Sequence, residues 1–146
     1  MSAELLPSGK NAAVAARSAP VALEPVAQAD TVAGTPRQGV AELGQIAGAD
    51  VGIWELRGGT VTDTEVDELF VVLSGGATIE FLGEPGEPGE SGEAGESGEA
   101  GESGERADVV LRSLEVRAGD AVRLTAGSRT RWTVPEHIRK IYIAAA

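Results

Sequence analysis

Apolar side chains along this chain come in short alternating runs separated by glycine, proline and polar clusters, with no sustained period of three to four residues. Alternation puts successive side chains on opposite faces, so these runs predict strands rather than helices. VGIWEL (51–56) predicts a short strand closed by a turn at Arg57-Gly58-Gly59, and ELFVVLSGG (68–76) a second that ends at a glycine pair. ATIEFLG (77–83) continues it into a hairpin. Further on, the pattern predicts strands at 107–111, 113–117, 120–125, 129–134 and 138–143, with a turn at Val134-Pro135-Glu136-His137 between the last two. From Val21 onward, ADTVAGTPRQG carries the same strand-and-turn punctuation. Residues 1–19 are alanine-rich and polar without a helical period, which predicts a mobile arm. Strands at this spacing without helices indicate an all-β sandwich or barrel, here one domain over residues 20–146.

One segment interrupts that domain. Residues 83–105 read GEPGEPGESGEAGESGEAGESGE, with glycine at every third position and a glutamate after each. A strict Gly-x-y period is the signature of a collagen triple helix, in which only glycine fits the crowded axis. Here the prolines number two, Pro85 and Pro88, and a homotrimer would align eight glutamates from each chain. The composition therefore predicts a solvated, disordered loop at a hairpin tip. Loop-closure entropy grows with the logarithm of length, so lengthening a short turn this far costs only about 2 kcal/mol.

The repeat also distorts the charge. The chain of 146 residues has 23 acidic and 12 basic side chains, a formal charge of -11. Without the eight repeat glutamates the charge is -3, and residues 106–146 alone hold eight bases against four acids. No clustered Lys/Arg surface is evident for nucleic acid or for an anionic membrane, so neither partner is expected. There is no cysteine, which excludes disulfides, thiolate metal sites and a cysteine nucleophile. No apolar run nears the roughly 18–20 residues of a membrane span. The start, MSAELLPSGK, lacks the basic and apolar regions of a signal peptide, so a cytoplasmic location is the expectation.

Two segments carry a recognisable spacing. Glu68-Leu-Phe-Val-Val-Leu-Ser-Gly75 puts six residues between a glutamate and a glycine, as in the second half of the first cupin motif, G-x5-H-x-H-x3,4-E-x6-G. Gly119-Asp-Ala-Val-Arg-Leu-Thr125-Ala-Gly127 follows the frame of the second, G-x5-P-x-G-x2-H-x3-N. With Gly52-Ile53-Trp54-Glu55, Asp67-Glu68-Leu69-Phe70, Ala118-Gly119-Asp120, Trp132-Thr133-Val134 and Ile138-Arg139-Lys140-Ile141-Tyr142, the chain resembles the small single-domain cupins related to ureidoglycine aminohydrolase and the ethanolamine-utilisation cupin. The resemblance covers roughly residues 40–146 and implies a cupin-type jelly-roll barrel, usually dimeric, so a homodimer is expected.

In a metal-binding cupin the two histidines and the glutamate of the first motif and the histidine of the second hold a divalent ion. Imidazole and carboxylate suit manganese, iron or zinc. The first pair falls here at Thr62 and Thr64, or at Val61 and Asp63, and the last histidine position is Thr130. The motif proline is Thr125 and the asparagine Val134. No metal is therefore expected, manganese being the alternative. The one histidine, His137, is expected as an exposed turn residue.

If Glu68 points inward, as its motif position implies, Phe70 and Val72 follow it, while Leu69, Val71 and Leu73 pack on the other face. The same alternation predicts a pocket lined by Trp54 or Glu55, Glu68, Phe70, Val122, Thr130, Trp132, Lys140 and Tyr142, with a Glu68–Lys140 ion pair and Arg139 on the opposite face as a surface or interface residue. The function expected is a metal-free module that binds a small molecule or a second copy. The resemblance also implies two alternatives: a manganese-dependent hydrolase resembling ureidoglycine aminohydrolase, and metal-free acid/base catalysis by Glu68, Lys140 and Tyr142. Whether the protein is an enzyme is left open by the residues themselves.

Overall fold

The computed structural model describes residues 3–84 and 108–146. The repeat from residue 85 onward, and with it the expectation of a disordered loop, lies outside the described residues. The chain forms strands β1 (Glu24–Pro25), β2 (Thr31–Ile46), β3 (Ala49–Thr64), β4 (Glu68–Gly83), β5 (Val109–Arg117), β6 (Ala121–Leu124) and β7 (Arg129–Ala144), with one 3-10 turn at Gln28–Asp30. Every pairing is antiparallel, in the order β1-β2-β3-β7-β4-β5. On the β4 edge that faces away from β7, β6 pairs with Glu68–Val71 and β5 with Gly76–Gly83. The architecture is the all-β, antiparallel jelly roll that the alternation and the motif spacing predict.

Four of these strands are 16 residues long, well beyond the usual five or six, and they bend at bulges. The predicted pairs 129–134 and 138–143 are thus halves of one strand, as are 107–111 and 113–117 within β5. Proline lacks the N–H that a central strand needs, which is why Pro135 reads as a turn. Its neighbours resolve the conflict. Pro135 and Glu136 pair with neither β3 nor β4, because β3 shifts register between Arg57 and Gly59 and β4 between Gly75 and Thr78. Gly75 makes the β4 bulge with φ +74°, and a Cβ there would lie 2.0 Å from the His137 carbonyl oxygen. Arg57-Gly58-Gly59, predicted as a turn, is the matching irregularity inside β3.

Apart from the exposed Glu136 at the bulge, even-numbered residues of β7 face inward, and Trp132, Val134 and Ile138 join Leu56, Val61, Phe70, Val72, Ile79, Val116, Val122 and Leu124 in the main core. A second, smaller core lies on the other face of the sheet. There Ala19, Leu43 and Ile53 pack with Leu6, Val14, Val21 and Ile141. The N-terminal segment is therefore docked rather than a free arm. Leu5 and Leu6 donate backbone hydrogen bonds to the carbonyls of Glu42 and Leu43 on β2. Arg139, expected at the surface, is 8% exposed: its Nε donates to Glu55 Oε1 at 2.9 Å, and its terminal nitrogens donate to the carbonyls of Ala16 and Ala19, each at 2.8 Å. The guanidinium needs several acceptors to be buried, and the N-terminal carbonyls supply two of them. Leu69 and Val71, expected to pack on that face, are exposed together with Ile143. Among the described residues, no helix is long and apolar enough to cross a membrane.

Candidate functional site

A cavity of about 370 Å³ opens between the ends of β2, β3, β4 and β7, lined by Gln38, Asp50, Trp54, Asp63, Glu65, Glu68, Trp132, Lys140 and Tyr142 among others. Its centre is built by strand alternation. Trp54 on β3 is the register partner of Lys140 on β7, and Val72 of β4 flanks Lys140 on the other side. Lys140 and Tyr142 share the inward face of β7, and Glu68 and Phe70 share that of β4.

Lys140 Nζ donates to Glu68 Oε2 at 2.6 Å, and the two side chains are 7% and 9% exposed. Three rings surround the same ammonium, with Phe70, Trp54 and Trp132 centroids 4.2, 4.6 and 5.0 Å from Nζ. An ammonium desolvated against π faces keeps part of the stabilisation that water gave it, and the carboxylate supplies the rest. The rings hold one another: Trp54 and Trp132 meet edge-on with centroids 5.4 Å apart, and Phe70 tilts against Trp132 at 5.8 Å. Trp54 Nε1 donates to Gln38 Oε1 at 3.1 Å.

A second carboxylate was not signalled by any motif. Glu65, in the link between β3 and β4, is 6% exposed. Its Oε2 accepts from Thr130 Oγ1 at 2.7 Å and from Trp132 Nε1 at 3.1 Å, both neutral donors. Its backbone is fixed by exchange with the Gly127-Ser128 turn: Glu65 N donates to the Ser128 carbonyl and Gly127 N to that of Glu65. Asp63, nearer the mouth, has its carboxyl pushed up to about 6, first by burial and then by the charge of Glu65, against the lowering effect of its hydrogen bond from Thr64 N. Burial, with Asp50 and Glu68 nearby, also raises Tyr142, so its phenol stays protonated and offers an O–H at neutral pH.

Of the residues the sequence places in the pocket, Trp54, Glu68, Trp132, Lys140 and Tyr142 line this cavity; Phe70 does not, being buried in the main core with its ring against Lys140 Nζ. The choice between Trp54 and Glu55 is resolved for Trp54. Glu55 points to the other face of the sheet, where it pairs with Arg139 and with Arg57 Nε at 2.7 Å. Val122 belongs to the hydrophobic core and not to the cavity wall. Thr130 is wholly buried and reaches the site through Glu65. His137 is not in a turn; it lies within β7, half-buried, with Nε2 3.1 Å from Ser74 Oγ in a separate groove.

Known structures share this arrangement of strands. A DUF861-family protein of unknown function from Pseudomonas syringae pv. tomato superimposes with a TM-score of 0.61 at 18% identity, over 88% of this chain and 46% of that one. The EutQ protein of Clostridium difficile superimposes at 0.51 and 17% identity, over 75% of this chain and 63% of that one. This chain has a cupin fold. A cupin-2 domain protein from Shewanella frigidimarina also matches, at 0.48 and 13% identity over 74% of this chain and 80% of that one. No family model and no curated sequence matches the chain. It spans less than two thirds of the Pseudomonas and Clostridium proteins.

The positions at which a cupin holds its metal do not suit one here. Thr62 and Asp63 sit at the cavity wall, Thr64 is exposed, Thr130 is committed to Glu65, and Glu68 is committed to Lys140. Among the described residues, no group of three or more His, Asp or Glu side chains is disposed to hold a metal ion. The ammonium of Lys140 lies against the motif glutamate and supplies the positive charge that a metal would bring to it.

Proposed function

We propose that this cupin binds a small molecule in the cavity around Trp54, Glu65, Trp132 and Tyr142, and does so without a metal. The observation that carries the reading is the Lys140–Glu68 pair at 2.6 Å, which neutralises the motif glutamate inside an aromatic enclosure. A carboxylate so engaged has no free charge to offer a divalent ion, and no imidazole stands beside it, since the one histidine, His137, lines a separate groove. The cavity volume falls within the range of small-ligand sites, and its wall combines two tryptophans and aliphatic side chains with converging charged and polar groups.

Elemental analysis of protein purified without chelator, and again after incubation with manganese, zinc or iron, tests the reading. The expected metal content stays far below one per chain, with no gain in thermal stability. A stoichiometric metal that disappears in Glu68→Gln overturns the metal-free reading and raises the hydrolase alternative.

A further inference from the structure

The charges around the cavity are unequal. Asp30, Asp50, Asp63, Glu65 and Glu68 line it, and Lys140 is the one Lys or Arg among the described residues that does so. The Lys140–Glu68 pair cancels itself, which leaves four carboxyl groups facing the same space. Charge alone does not make a site, but Glu65 adds an independent feature. More than nine-tenths buried, it spends Oε2 on Thr130 and Trp132. Its Oε1 receives no hydrogen bond from a described residue, yet no buried side-chain oxygen lacks a partner, so Oε1 opens to the cavity that Glu65 lines. Glu65 thus presents one carboxylate oxygen to the cavity with no Lys or Arg in an ion pair with it, and in a largely buried setting a charged donor gains more from such an oxygen than water does.

From this arrangement we infer that the cavity takes a small organic cation, an ammonium or guanidinium compound, whose charged group donates to Glu65 Oε1 and Asp63 against the wall formed by Trp54 and Trp132. The inference rests on the reading of the cavity as a metal-free ligand site and names the ligand class. The protein already places one ammonium, that of Lys140, against these rings, so the environment tolerates such a group. An anion would meet four carboxyl groups, and a neutral molecule would leave their charge uncompensated. A ligand ammonium or guanidinium supplies both the donors and the charge.

Trp54 and Trp132 are the two tryptophans of the chain and both line the cavity, so intrinsic fluorescence reports on this site. The test titrates the full-length protein with putrescine and agmatine, and with 1,4-butanediol and succinate as uncharged and anionic compounds of matched length. Fluorescence and melting temperature are both followed. Putrescine or agmatine is expected to shift both, with an affinity that falls on adding salt and drops at least about tenfold in Glu65→Gln. Asp63→Asn, at the cavity mouth, is expected to weaken the same ligands and serves as the deciding variant if Glu65→Gln does not fold. Butanediol or succinate binding as tightly as the cations would overturn the cation class and leave the metal-free ligand site standing. Cation binding unchanged in the folded variants would overturn the role of Glu65 and Asp63. No response to any of the four compounds would sink both.

Discussion

Arg139 and Lys140 are consecutive on β7 and both are buried against a carboxylate, but on opposite faces of the sheet: Arg139 meets Glu55 at 2.9 Å and Lys140 meets Glu68 at 2.6 Å. Each pair joins β7 to a different neighbour, the first to β3 and the second to β4. One pair anchors the N-terminal segment and the other fills the middle of the cavity.

The inner pair should show strong coupling. Lys140→Met leaves Glu68 desolvated among rings and is expected to destabilise the protein by about 3–5 kcal/mol in urea unfolding. Lys140→Met combined with Glu68→Gln removes both charges and is expected to recover most of that loss. A double variant as unstable as the sum of the single ones would mean that the two side chains do not act as a pair.

The outer pair predicts a structural role for residues that look dispensable in the sequence. Deleting residues 1–19 uncovers Leu43, Ile53 and Ile141 and removes two acceptors from Arg139. The expected result is a loss of more than about 2 kcal/mol together with increased binding of a hydrophobic dye. Unchanged unfolding of the truncated protein would show that the segment is not anchored.

Asp63 gives stability a defined pH dependence. Its folded-state value of about 6 stands above the ordinary 3.8, so the folded protein holds this proton more tightly than the unfolded chain does. Stability from this group is therefore full below about 4, declines as pH rises to about 6, and stays at the lower level above that. Asp63→Asn keeps an acceptor for Thr64 N and should abolish the step, leaving the variant more stable than the parent at pH 7. Melting temperatures of the two proteins across pH 4 to 8 would show it; parallel curves would contradict the shift.

The bulge beside Pro135 depends on a particular glycine. Gly75→Ala puts a Cβ against the His137 carbonyl at φ +74°, where neither the backbone nor its neighbour can yield, and is expected to cost well over about 3 kcal/mol or prevent folding. Gly48→Ala has a similar φ of +84° but open space around it, and is expected to cost about 1 kcal/mol. Chemical unfolding of the two variants separates backbone preference from steric conflict.

Gly83 and Val109 are register partners at the ends of β4 and β5, so the chain between them needs only to close a hairpin. Replacing residues 85–107 with Asn-Gly keeps Asp108 and its ion pair with Arg129. The melting temperature is expected to change by less than about 10 °C. A larger fall would assign the repeat a part in folding.

Much of the cavity was legible because strand alternation carries side-chain direction with it. Once Glu68 is set inward, Phe70 follows, and the same parity along β7 sends Trp132, Lys140 and Tyr142 to one side. The parity of 51–56 alone did not say which of Trp54 and Glu55 faces inward, because both faces of β3 are covered. That choice depended on the N-terminal segment, whose weak alternation gave no sign of the small core it completes. Glu65 carried no signal either. It is buried because the Gly127-Ser128 turn fixes its backbone and because Thr130 and Trp132, more than 60 residues away, present their donors to it.

The sequence by itself therefore determined the strand class, the motif frame of the fold, the loss of the histidine ligands and the inward face of the main strands, since these follow from residue identity and a period of two. Tertiary structure decided where strands continue through glycine and proline, because a bulge needs the neighbouring strands to accommodate it. It also decided which charges are paired and which carboxylate is left open, since burial and partner distance arise only when distant strands are brought together.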